Sequence, residues 1–397
     1  MMKKGTKRIM GIMAAILLSG TLAGCGNASS SNKGNEAGKT IKIGVNMELS
    51  GSAAAYGNAQ KQGIQLAVDQ INQKGGIKVD GKKKKVQLVV RDNKTNSSEA
   101  TSVAAKLVNN DKVVAVVGPA TTNAGTAAIP NMTKAAVPQV SPSATDPNYT
   151  LDKDGKVQPY VFRACYQNNF QGKTGASFTE NNLHAKRAVI LADKSSDYGT
   201  GLTEAFKKNY KGKVVMTQYF QEGDKDFNAA LTQLKSKKFD AIYVPGYYSE
   251  IGLIIKQARQ MGIKQPIVGT DGMADPKLAQ IAGNKNANNV YYTTPFSAKT
   301  ATDDTQVQNF MLAFKNKFHT TAPTFSALSY DSVYMIKQAI EKENSTNSVK
   351  IATGLAHLKN FNGVTGKTTI DKEHNPQKPI AVEQLTDGKV TKAYAIK

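Results

Sequence analysis

The groups able to bind a small molecule stand where strand-like runs give way to turns. The apolar run Val113–Val117 leads into Gly118-Pro119-Ala120-Thr121-Thr122-Asn123, and a helical stretch follows. Backbone N–H groups at a helix start, with hydroxyls beside them, suit a carboxylate. Ser141-Pro142-Ser143-Ala144-Thr145-Asp146-Pro147 is a second polar turn. Three later strand ends carry Asp193 with Asp197-Tyr198-Gly199, then Gly246-Tyr247-Tyr248, then Gly269-Thr270-Asp271-Gly272. An acid there can hold an ammonium, and tyrosines can wall an apolar side chain. Each group also has a plainer reading, because Thr and Asn cap helices and Asp before Gly is ordinary turn chemistry.

Patterns for catalysis are missing. His184, His319, His357 and His374 are scattered, with no metal-ligand spacing such as HExxH. Neither GxSxG nor GxGxxG occurs. Gly363-Val364-Thr365-Gly366-Lys367-Thr368 resembles the end of a phosphate-binding loop, but that motif requires glycine where Phe361 stands. A turn is expected there instead. The reading is a binding protein and not an enzyme, with no catalytic residue, no metal and no cofactor.

The elements that must position these groups follow a regular rhythm. Ile41–Val45 alternates at period two; Ile64, Ala67, Val68 and Ile71 then fall at helical spacing, closed by Gly75-Gly76. Val86–Val90 is the next strand. Asn96 and Glu99 form a capping pair for a helix whose stripe is Ala100, Val103, Ala104, Leu107 and Val108. The rhythm restarts with strands at Ala188–Ala192, Lys213–Tyr219, Phe239–Val244 and Ile267-Val268. Helices are expected between them at Gly201–Asn209, around Phe227–Leu234 and around Ile251–Ala258. Strands alternating with helices predict parallel sheets flanked by helices, in two Rossmann-like lobes. Ligands of such sheets bind beyond the carboxyl ends of the strands.

At 397 residues the chain suits two lobes rather than one core. Lys3, Lys4, Lys7 and Arg8 precede the apolar run Ile9–Leu18, and Leu22-Ala23-Gly24-Cys25 follows. That is the layout of a secretory signal peptide, and its end resembles a bacterial lipobox. Residues 1–24 are expected to be removed, Cys25 lipidated, and residues 25–39 to form a flexible tether. The expected place is the extracytoplasmic face of the cell membrane. Cys165, the other cysteine, is expected to be a buried apolar residue. The formal charge is +22, and since residues 1–24 hold four Lys/Arg and no acid, the remainder carries +18. Export argues against nucleic acid as the partner and for anionic lipid or cell-wall polymers. The basic run Lys82-Lys83-Lys84-Lys85 reads as a solvated hairpin turn.

Three long segments carry a resemblance. IKIGVNMELSGSAAAYGNAQKQGIQLAVDQINQKGG, VVGPATTNAGTAAIPNMTKAAVPQVSPSATDP and FDAIYVPGYYSEIGLIIKQARQMGIKQPIVGTDG resemble the leucine/isoleucine/valine-binding proteins of ABC importers, in the same order and over nearly the whole exported chain. The resemblance implies the type I periplasmic-binding-protein fold. Lobe 1 would hold residues 40–161 plus 292–362 and lobe 2 residues 162–291 plus 363–397, joined by a three-strand hinge. It implies ligand contacts at Thr122, Ser143 and Thr145 for the charged end of the ligand, and at Tyr198, Tyr247 and Asp271 from the second lobe. Asp271 would receive the ammonium. Tyr56 and Phe325 would wall the side-chain pocket. Asp271 replaces a glutamate of the branched-chain binder compared, a shorter reach. The implied partners are one small amino acid, an ABC permease with its ATPase, and the membrane through the lipid; the chain would be a monomer. The alternatives are a binder of another small amino acid or amide, and a ligand-sensing receptor component.

Overall fold

A computed structural model describes residues 33–396. The expected signal peptide, Cys25 and residues 26–32 of the expected tether lie outside the described residues. In chain order the first series is β1 (Ile41–Met47), α1 (Ala54–Gln73), β2 (Ile77–Val79), β3 (Lys82–Lys84), β4 (Val86–Asp92), α2 (Ser97–Asn109), β5 (Ala115–Val117), α3 (Thr122–Ala135), β6 (Gln139–Ser141) and β7 (Val161–Arg163). The second is α4 (Asn168–Asn181), β8 (Arg187–Asp193), α5 (Asp197–Asn209), β9 (Lys213–Phe220), α6 (Asn228–Lys235), β10 (Ala241–Val244), α7 (Tyr248–Gln260), β11 (Ile267–Gly269), α8 (Lys277–Ala282) and β12 (Val290–Thr294). Then come α9 (Thr305–Phe318), α10 (Thr324–Glu343), α11 (Ser348–Ala356), the hairpin β13 (Phe361–Gly363) and β14 (Gly366–Thr368), and finally β15 (Ile380–Thr386) and β16 (Lys389–Ile396).

Two sheets result, and their parallel parts repeat one strand order. The first runs β4-β1-β5-β6-β7 and is parallel throughout. The second runs β9-β8-β10-β11-β12 in parallel, then adds β15 and β16 antiparallel. In both, the first strand of the series lies between the second and third. That inversion leaves a crevice at the carboxyl ends of β1 and β5, and another at those of β8 and β10. The chain passes from the first sheet to the second after β7, leaves the second after β12 for helices that pack on the first sheet's side, as α10 does on α1, and returns to it after the separate hairpin β13-β14.

Local chemistry explains most element limits. Asn96 caps α2 by accepting the Glu99 N–H at 3.0 Å, and all five stripe residues are buried. β5 is shorter than the run Val113–Val117, because the Val113 N–H goes to the Leu107 carbonyl at the end of α2. α5 starts four residues before the expected Gly201 because Ser196 caps it, accepting the Gly199 N–H at 3.0 Å. The four lysines are not the turn itself. Asp80-Gly81 makes the turn, both at positive φ, and Lys82–Lys84 form the return strand.

Other elements escaped the periodicity. α4 packs through small residues, and a Cβ on Gly172 would stand 2.5 Å from that of Ala205, so no apolar stripe marks it. α10 is buried nearly all round, which erases any amphipathic period. Cys165 is fully buried, with its thiol 3.3 Å from the Ala144 carbonyl and pushed up to about 12 by desolvation.

Candidate functional site

On the first sheet's side, β1 ends at Met47 and delivers Glu48 to the start of α3. The Glu48 carboxylate accepts the Ala120 N–H at 2.9 Å, the Thr121 N–H at 3.0 Å and the Thr121 hydroxyl at 2.8 Å, and is fully buried. Burial pushes its pKa up while these bonds pull the other way. The Ala120 and Thr121 N–H groups, just before α3, are therefore taken by an anion of the chain itself. Glu48 was not among the expected site residues, although its place directly after an apolar strand was a usable signal. Ser143 donates its hydroxyl to the Ala120 carbonyl at 2.7 Å and accepts from the Gln60 amide at 2.7 Å. Thr122 and Thr145 are buried, and neither hydroxyl has a partner among the described residues.

On the second sheet's side, Asp271 opens a single 3-10 turn, Asp271–Met273, after β11. The Tyr198 hydroxyl donates to its Oδ1 at 2.5 Å, and the Asp271 N–H donates to Gln171 Oε1 at 2.7 Å. Desolvation pushes the Asp271 carboxyl up to about 6, against the pull of the Tyr198 bond. The Gly272 N–H donates back to the Tyr198 hydroxyl at 2.9 Å. Glycine is required there, since a Cβ would lie 2.2 Å from the Gly246 carbonyl oxygen.

Aromatic rings join the two sides. Tyr247 stacks on Tyr198 with centroids 4.9 Å apart and planes within 4°. Tyr56, from α1, meets Tyr247 edge-on at 5.8 Å and Phe325 at 4.8 Å. Its hydroxyl donates to the Gly272 carbonyl at 2.5 Å and accepts the Tyr248 N–H at 3.1 Å, so it ties α1 to the second sheet.

These groups line a cavity of about 260 Å³. Tyr56, Ser143, Tyr198, Tyr247, Asp271 and Phe325 line it, with Ala120, Thr121 and Gly272. Thr122 and Thr145 do not line it; each is a chain neighbour, or near neighbour, of a lining residue. Cys25 lies outside the described residues. Among the described residues no cluster of three or more His, Cys, Asp or Glu side chains is placed to hold a metal.

The chain matches known proteins along most of its length. A profile of the periplasmic binding protein family matches residues 40–389. The Leu/Ile/Val-binding protein BraC3 of Rhizobium johnstonii is 34% identical over 83% of this chain and 87% of its own. The leucine-, isoleucine-, valine-, threonine- and alanine-binding protein of Pseudomonas aeruginosa is 30% identical over 94% of each. Among solved structures, the branched-chain amino acid transporter substrate-binding protein LivJ of Streptococcus pneumoniae, in complex with isoleucine, is 45% identical. It superposes with a TM-score of 0.85 over 90% of this chain and 100% of that one. With its two sheets of repeated strand order, its cavity between them and these likenesses, the chain belongs to the periplasmic binding protein family, among its Leu/Ile/Val-binding proteins.

Proposed function

We propose that this protein captures leucine, isoleucine or valine between two closing lobes, one around each sheet, and hands it to the permease of an ABC importer. One observation carries the reading: the cavity divides its chemistry between the two sheets. Thr121 and Ser143 line it on the side of the first sheet, with the buried, unpartnered hydroxyls of Thr122 and Thr145 one and two residues further along the chain, and the Asp271 carboxylate lines it on the side of the second. Tyr56, Tyr198, Tyr247 and Phe325 supply an apolar wall. A buried zwitterion is tolerated only where each charge finds partners. Here the hydroxyls would take the carboxylate and Asp271 the ammonium, so both ends are satisfied only with the lobes together. Closure then reports occupancy to the permease.

The signal-like start and Leu22-Ala23-Gly24-Cys25 support export and a lipid anchor at Cys25, which would hold a monomer at the outer face of the membrane. The test is thermal unfolding of residues 25–397, with Cys25→Ser, against single amino acids, small amides and urea. Ligand at ~1,000 times its dissociation constant adds about 4 kcal/mol, a rise of several degrees. A rise confined to Leu, Ile and Val supports the reading. A rise with another compound replaces the ligand, and no rise with any of them overturns the reading.

A further inference from the structure

Helices α1 and α7 both begin at the cavity, α1 after β1 of the first sheet and α7 after β10 of the second. A helix start leaves N–H groups that its own turns cannot satisfy. The residue before each helix supplies no side-chain cap: Ala53 has no polar atom to offer, and Tyr247 lays its ring on Tyr198. The caps come from the opposite half. The Tyr56 hydroxyl, on α1, accepts the N–H of Tyr248, the first residue of α7, at 3.1 Å. The Tyr248 hydroxyl accepts the N–H of Ala55, the second residue of α1, at 3.2 Å. The exchange is reciprocal, and the two rings that make it meet edge to face at 4.9 Å and 89°.

Both rings are buried. Two further bonds between the halves, from the Ser52 hydroxyl to Glu222 and from the Asp197 N–H to Asn123 Oδ1 at 3.4 Å, are exposed, where water competes for the same groups. The exchanged caps therefore hold the halves more firmly than the rim does. Tyr56 also lines the cavity, but Tyr248 does not. Whatever Tyr248 contributes to a bound ligand passes through the approach of the halves.

We infer that Tyr248 is a positioning residue for ligand capture: with Tyr56 it forms a pair of exchanged helix caps that favours the closed arrangement whatever side chain the ligand carries. The inference rests on the capture by closure proposed above. Apparent affinity scales with the fraction of protein already in the binding-competent arrangement. Because Tyr248 lies outside the cavity, its bond multiplies the affinity for every accepted amino acid by one factor and adds nothing to the choice between them.

The experiment compares the protein with its Tyr248→Phe variant, both as residues 25–397 with Cys25→Ser. It uses small-angle scattering without ligand and calorimetric titration of leucine, isoleucine and valine. Phenylalanine keeps the ring and deletes one oxygen; circular dichroism checks the fold, and Tyr248→Leu takes its place should that variant not fold. Expected without ligand is a larger radius of gyration in the variant, and with saturating leucine an equal one. Affinity should fall roughly three- to tenfold for all three amino acids alike, the order of one hydrogen bond. Equal radii without ligand overturn the inference, and so do unchanged affinities. A loss confined to one amino acid overturns it too, since Tyr248 then reads the side chain. An unmutated Tyr248 protein that binds none of the three overturns the function instead, and the scattering comparison, which needs no ligand, still decides the role of Tyr248.

Discussion

The Tyr198 hydroxyl holds the Asp271 carboxylate at 2.5 Å while the same oxygen accepts the Gly272 N–H at 2.9 Å, so one phenol fixes both the acid and the turn that carries it. The bond opposes the desolvation that pushes Asp271 up to about 6. A ligand ammonium favours the ionised acid. Leucine affinity should therefore be flat above about pH 7 and fall as pH drops through 6, approaching tenfold per pH unit. Tyr198→Phe should move that midpoint to higher pH. Titration calorimetry between pH 4.5 and 8 checks both, and a profile unchanged in Tyr198→Phe would contradict the assignment.

The same shift has a consequence for stability without ligand. Asp271 is an acid whose folded value lies above its unfolded one, 3.8. Its contribution is fully present below the unfolded value and is lost as pH rises through about 6. Asp271→Asn should then be the more stable protein above pH 6, by up to about 3 kcal/mol, yet bind leucine far more weakly. Urea unfolding at pH 5 and pH 8 measures the first half of this trade, and calorimetry the second.

Tyr56→Phe should loosen the joint between the halves. It deletes the bond to the Gly272 carbonyl and leaves the Tyr248 N–H without its acceptor. Small-angle scattering of the unliganded protein should show a larger radius of gyration. Leucine should bind roughly tenfold more weakly, in line with about 1–2 kcal/mol for such bonds.

Glu48→Gln should destabilise the fold even though the change is nearly isosteric. Both carboxylate oxygens are occupied, one by the Ala120 N–H and the other by Thr121. An amide offers one acceptor and turns its NH2 toward the remaining donor, a loss of about 1–3 kcal/mol. Denaturant unfolding with an unchanged m-value would confirm that stability alone has moved.

Lys378 and Asp331 are both fully buried, 3.9 Å apart, near the third passage between the sheets. Asp331 also accepts the Val364 and Thr365 N–H groups at 2.9 Å. Lys378→Met strands that carboxylate and should cost about 3–5 kcal/mol. The double variant Lys378→Met/Asp331→Asn should recover part of the loss, which a double-mutant cycle reads directly.

Much of the architecture was legible because parallel strands leave strong marks. Val113–Val117 and Ile267-Val268 announce buried strands, and the Asn96 cap announces a helix start. What stayed hidden was hidden for physical reasons. α4 buries glycine and alanine rather than an apolar stripe, and α10 is too enclosed to show a period. The final hairpin had a signal that was missed: Asp387-Gly388, both at positive φ, joins β15 to β16. At the site, aromatic and acidic groups at strand ends were readable one by one. That Glu48 would take the helix-start N–H groups was not, because it depends on how β1 and β5 lie side by side.

The proposed seating of a ligand between hydroxyls, carboxylate and aromatic wall has a geometric corollary. Three unlike attachment points around one carbon are the least that can tell a molecule from its mirror image. A D-amino acid seated with its carboxylate toward Thr122 and Thr145 and its ammonium on Asp271 must exchange its hydrogen and its side chain. Its hydrocarbon then leaves the wall formed by Tyr56 and Phe325. Handedness is in this way read by the placement of an apolar surface rather than by any hydrogen bond, and D-leucine should be refused by the same rings that welcome its mirror image.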